Sequence, residues 1–180
     1  MEFPISPGMK SLKSKPQPAR ALNGAVYRAA SPQDSDLKQQ ADKTRTEPGR
    51  FNTRQFGALY VSLQPETAVA ELRKNIERDG GSPDDASRCA LFTIDVDVSR
   101  IVDLTRHDHL REWGLRRDQL TDEDMTATQD AAARMIEEGF EGVLWPSAAG
   151  SGESLAIFLS RMRPESRVSL RGQEPLKSRE

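Results

Sequence analysis

Cysteine is almost missing from this chain: one residue, Cys89, in 180. A single thiol excludes an internal disulfide framework and fits a reducing compartment. Set in the strand-like run RCALFTIDV, Cys89 reads as a buried small hydrophobe. Long apolar runs are missing too, and none approaches the roughly 20 residues that span a bilayer. The first 20 residues carry Lys10, Lys13, Lys15 and Arg20 among four prolines, without the apolar stretch of a secretory signal. The expectation is a cytoplasmic protein whose residues 1–22 form a disordered, proline-broken basic arm. Net charge is nearly balanced at -2, so composition gives no general case for nucleic-acid binding. Histidine is scarce: His107 and His109 flank Asp108, but no further ligands cluster with them, and a metal site needs three or four. They read as a solvated helix start. No phosphate loop of the G-x-x-x-x-G-K-[ST] type, no G-x-S-x-G elbow and no HExxH occurs. GSGES at 150–154 is rich in glycine but leads into a strand-like run, not into the helix N-terminus a phosphate cradle uses.

What is present suffices for one domain. With 36% hydrophobic residues, a chain of this length supports a single modest core, placed at residues 23–172 with a flexible tail over 173–180. GAVYRAA (24–30) reads as a first strand, followed by a long polar loop over 31–49 of the kind that often serves as a lid. ALYVSL (58–63) is a strand, and Pro65 suits the first turn of a helix with Ala68, Val69, Leu72 and Ile76 on its buried stripe. CALFTIDV (89–96) and RIVDL (100–104) read as two strands joined by a turn. A short helical piece over 107–114 precedes a helix capped by Thr121, with Asp122, Glu123 and Asp124 in its first turn. GVLWP, ESLAIFL and RVSL complete the strands. Strands outnumber helices and several follow one another directly, which predicts an α+β fold with mainly antiparallel strands and flanking helices.

The candidate functional residues cluster around GRFNTRQFGALYVSLQPETAVAELRK (49–74). Arg28 shares a strand face with Val26, so a charged side chain is expected on an inward face, where it needs a partner. That partner is either a carboxylate such as Glu71 or a ligand phosphate, which the guanidinium fork matches. Arg50 lies in the turn GRFN, where Asn52 can bond back to the backbone and fix the loop. Tyr60 lies on a strand, Glu71 well inside a helix, and Ser147 at a strand end after Trp145 and Pro146. Asp95, Asp97 and Asp103 alternate with apolar residues and read as facing water, with an acid pair acting on a sugar as the sharper alternative.

Four blocks carry a family pattern in order: VYRAAS, GRFNT, ALYVSLQPETAVAELR and EGFEGVLWPSAAGSGESLAIFL. Together they resemble the RES domain, the toxin of one class of bacterial toxin–antitoxin systems. Phe51, Pro48 and Trp145 stand where the family pattern commonly has tryptophan, a second glycine and tyrosine. The resemblance implies an ADP-ribosyltransferase-like fold and an activity that consumes NAD as substrate without a metal. Cleavage at the nicotinamide–ribose bond by hydrolysis or phosphorolysis is one implied outcome; transfer of ADP-ribose to a protein, or a non-catalytic binding module, is the alternative. By position it implies Glu71, Arg28 and Ser147 as catalytic residues, and Arg28, Arg50, Tyr60 and Asn52 as the NAD-binding set. The implied partner is a cognate antitoxin with an Xre-like DNA-binding domain, and neither a membrane nor direct nucleic-acid binding is expected.

Overall fold

The computed structural model describes residues 19–177, so most of the predicted arm and the last three tail residues lie outside it. Strand β1 runs over Arg20–Ala30, four residues earlier than its apolar core suggests. Its inward face carries Val26, Arg28 and Ala30 in alternation, as the period of two requires. The segment read as a long loop contains a helix, α1, over Leu37–Lys43. Asp36 caps it by accepting the Gln39 N–H at 3.0 Å. Only Gln40 and Ala41 of α1 are buried, so no hydrophobic period advertises it.

Strand β2 (Leu59–Ser62) leads into helix α2 (Pro65–Arg78), with Pro65 in the first turn as expected. Ala68 is buried, and Val69, Leu72 and Ile76 are half-buried. A 3-10 turn then gives way to strand β3, one continuous strand over Ala90–Asp103. The turn expected near residues 97–99 does not form, because Asp97 and Val98 stay in register with Asn23 and Leu22 of β1. Val98 is buried there, so ladder pairing and burial override the local turn chemistry. Cys89 precedes β3 and is only half-buried, which corrects its reading as a core residue.

Helix α3 spans His107–Glu112, as the sequence suggests. Helix α4 spans Thr126–Glu137 and starts later than expected. Thr121 ends a 3-10 turn, while Asp124 accepts the Thr126 N–H at 2.9 Å. Strands β4 (Gly142–Pro146), β5 (Glu153–Ile157) and β6 (Arg167–Pro175) follow, β6 running past the predicted RVSL.

The sheet order is β1-β2-β5-β4-β3-β6, and β1 also pairs with β3. The pairings therefore close a circuit through β1, β2, β5, β4 and β3, with β6 added on the outside of β3. Every pairing is antiparallel except β3 with β4. One core cluster joins Phe51, Trp113, Met135, Phe140, Trp145 and Phe158; the other joins Val26, Leu59, Ile94, Ile101, Leu144 and Ile157. On β4, Val143 and Trp145 face the first cluster and Leu144 the second, so this strand is apolar on both faces. This mixed fold, a mostly antiparallel sheet with flanking helices, agrees with the α+β expectation. No helix among the described residues is long and apolar enough to cross a membrane.

Candidate active site

A cavity of about 520 Å³ opens between β1, β2, α2 and the turn after α1. Arg28 reaches it from β1, Arg50 from the turn, Tyr60 from β2 and Glu71 from α2. Residues scattered over 44 positions of sequence thus line one space. Ser147 does not line it directly, but its Oγ–H donates to Glu71 Oε1 at 2.5 Å. Ser154 Oγ–H adds a longer contact to the same oxygen at 3.5 Å. Ser147 is in turn fixed by its N–H on the Gly152 carbonyl (2.9 Å) and by accepting the Ala149 N–H (3.1 Å). The tight return of this loop requires glycine at 152: its φ is +114°, and a Cβ there would fall 2.2 Å from Thr67 Oγ1.

The GRFN turn is built by Asn52, which is fully buried. Its Oδ1 accepts the Gly49 N–H and the Tyr60 Oη–H, both at 2.8 Å. Its Nδ2 donates to the carbonyls of Thr44 at 3.0 Å and Phe56 at 3.2 Å. Asn52 is absent from the cavity lining, so it shapes the turn that carries Arg50 and presents no atom of its own to the space. Tyr60 Oη also accepts the Phe51 N–H at 3.0 Å, so the phenol is committed to the turn on both sides. Burial is the main reason its pKa lies well above the ordinary tyrosine value. Its ring meets Trp145 edge-on at 6.1 Å.

The two arginines are held differently. Arg50 donates Nη1–H to the Gln119 carbonyl at 2.9 Å and Nη2–H to the Asp122 carbonyl at 2.8 Å. Two of its five N–H donors are thereby used by neutral acceptors, and its charge is left without an ion pair among the described residues. Arg28 donates Nη2–H to Gln40 Oε1 at 3.2 Å, and its buried Nη1 has no partner among the described residues. The carboxylate partner considered for Arg28, Glu71, bonds to serines instead. Burial pushes both guanidinium groups below their ordinary pKa, opposed by Asp34 at Arg28 and by Tyr60, Asp122 and Glu71 at Arg50.

Several residues at the site escape sequence reasoning. Lys74, Asn75 and Arg78 also line the cavity; they follow Glu71 by three, four and seven positions, so helical spacing alone could have placed them. Gln40 carried no signal, being one polar residue in a polar segment. The alternative acid pair does not converge here. Asp95 pairs with Arg171, while Asp103 is buried against Thr105 and Arg20, which corrects its reading as water-facing. His109 Nδ1 meets the Asp103 carbonyl at 2.8 Å. Among the described residues no group of three or more His, Cys, Asp or Glu side chains is placed to hold a metal.

Comparison with known proteins adds two findings. The family model described as "RES domain" matches residues 25–176. A chain of the crystal structure of the M. tuberculosis MbcT–MbcA toxin–antitoxin complex is similar in fold, with a TM-score of 0.75 at 23% identity, covering 88% of this chain and 86% of that one. No curated protein sequence matches.

Proposed function

The chain belongs to the RES domain family, and from that premise we propose that it is the toxin of a bacterial toxin–antitoxin pair, degrading NAD by cleavage of the nicotinamide–ribose bond. One observation carries the reading: a half-buried arginine without an ion pair and with a buried, unpartnered Nη1, Arg28, lines the same cavity as a serine-anchored carboxylate, Glu71. A guanidinium nitrogen that is buried without a partner is costly in the free protein and is relieved by an anionic ligand. The cavity volume of about 520 Å³ lies within the range of small-molecule sites.

In this reading Arg28 and Arg50 hold the pyrophosphate and fix the position of the scissile bond. Glu71 stands at the ribose, where its negative charge stabilises the cation that develops as nicotinamide departs. Nicotinamide leaves as a neutral molecule from a cationic ring, so no proton donor is needed, and none is assigned. Ser147 keeps the Glu71 carboxylate in one orientation. Tyr60, its hydroxyl already committed, offers its ring to the nicotinamide or ribose face. Asn52 contributes to binding through the turn that presents Arg50. Water or inorganic phosphate completes the reaction at the ribose. The partner is a cognate antitoxin, as the similar fold found in a toxin–antitoxin complex supports, and we propose that it carries an Xre-like DNA-binding domain and covers the cavity.

The test is nicotinamide release from NAD by the purified protein, with and without phosphate. Glu71→Ala is expected to lower kcat by about 100-fold or more, and Arg50→Ala to act mainly on KM. A phosphate-dependent rate identifies phosphorolysis. Label from NAD appearing on protein instead of as free sugar product would move the assignment to an ADP-ribosyltransferase. No release by the wild type in the absence of any antitoxin would refute NAD degradation.

A further inference from the structure

An arginine with a buried guanidinium nitrogen is expected to meet a carboxylate, yet half-buried Arg28 meets a neutral amide. Gln40, on α1, is only 6% exposed. Its Oε1 accepts from Arg28 Nη2 at 3.2 Å, and its Nε2 donates to Asp34 Oδ1 at 3.0 Å. The amide orientation is therefore fixed from both ends: reversed, it would set N–H against guanidinium and C=O against carboxylate. Asp34 also receives Lys43 Nζ at 3.4 Å, so its negative charge is shared with a lysine and stands one amide away from Arg28.

We propose that Gln40 is a positioning residue that orients the Arg28 guanidinium while leaving its charge uncancelled, so that the cavity keeps its attraction for the phosphate groups of a nucleotide. This rests on the NAD reading for the identity of the nucleotide, but not for its charge. A glutamate at 40 would have nearly the same shape and would pair with Arg28 directly, filling the role the ligand phosphate otherwise takes. Gln40 sits on the helix that the polar 31–49 segment concealed, which is why its chemistry is invisible in sequence.

The experiment measures Gln40→Glu against wild type in three ways: the NAD dependence of nicotinamide release, calorimetric binding of ADP-ribose, and inhibition by nicotinamide, which carries no phosphate. The expected result is KM for NAD and Kd for ADP-ribose each raised about tenfold or more, nicotinamide inhibition within twofold, and a single cooperative unfolding transition at a lower Tm, because the variant sets a carboxylate oxygen against Asp34. Unchanged ADP-ribose binding in a folded Gln40→Glu protein overturns the proposal, as does an equal loss for nicotinamide, which would indicate general damage to the cavity. Should Gln40→Glu fail to fold, Gln40→Met decides. It keeps the Arg28 charge but frees its Nη2, and is expected to raise the ADP-ribose Kd about threefold or more, no change overturning the role. Wild-type binding of ADP-ribose without nicotinamide release would sink the reaction and leave Gln40 to be judged by calorimetry. No ADP-ribose binding by the wild type would overturn both.

Discussion

At the scale of single residues, the site sets binding against stability. Arg28 is half-buried with a buried, unpartnered Nη1, and Arg50 rests on two carbonyls without a carboxylate. Such groups contribute little to folding in the absence of ligand, and apolar replacements of buried charges are often neutral or stabilising. Arg28→Met is therefore expected to abolish NAD turnover while keeping stability within about 1 kcal/mol of wild type or above it, the small cost being the orphaned Gln40 carbonyl. Chemical denaturation checks this. A loss above about 2 kcal/mol would assign Arg28 a structural role and weaken its reading as a ligand clamp.

Among the elements, the join between β3, β4 and the chain before β6 depends on one carboxylate. Glu141 is fully buried just before β4. Its Oε1 accepts the N–H groups of Ser99 and Arg100, each at 3.2 Å, and the Ser99 hydroxyl at 2.9 Å, while Oε2 accepts the Arg163 N–H at 3.0 Å. Burial pushes this carboxyl up, but the donated hydrogen bonds outweigh it and hold the pKa below the ordinary glutamate value. A group depressed in the folded state stabilises above its unfolded pKa, and that contribution is lost as pH falls through the folded pKa. Stability is thus expected to be flat near neutrality and to fall on acidification below about pH 4. Glu141→Gln should cost about 2–3 kcal/mol at pH 7, because an amide turns N–H groups toward backbone donors. The gap between variant and wild type should narrow in acid. Urea melts at pH 7 and pH 3.5 measure both, and a pH-independent gap would show that the charge of Glu141 does not matter.

For the whole molecule, closure of the β1-β2-β5-β4-β3 circuit leaves β6 as the outer strand, paired only with β3. Most of β6 is exposed, whereas β4 and β5 are buried on both faces. Local opening free energy follows burial and pairing. Native-state hydrogen exchange should therefore show slowest exchange for amides of β4, β5 and the Ile94–Val98 part of β3, and fastest for β6 beyond Leu170. Equal protection across all six strands would mean that β6 is an integral part of the cooperative unit.

The sequence by itself determined the elements whose signals are local. Alternation placed Arg28 on the face of Val26, Pro65 began α2, the apolar runs of β4 and β5 marked strands, and Asn52 was legible as the fastener of its own turn. Four short blocks also sufficed for the family resemblance that the match over residues 25–176 establishes. Only tertiary structure decided the rest. The unity of β3 depends on β1 lying alongside it, and the segment before α4 is held by Arg50 through the Gln119 and Asp122 carbonyls. α1 is held by burial of Gln40 and Ala41, not by any period of its own. The partner of Arg28 lies on that hidden helix and that of Glu71 lies 76 positions away. Side-chain pairing across folded elements depends on distance in space, and a linear sequence records distance only along the chain.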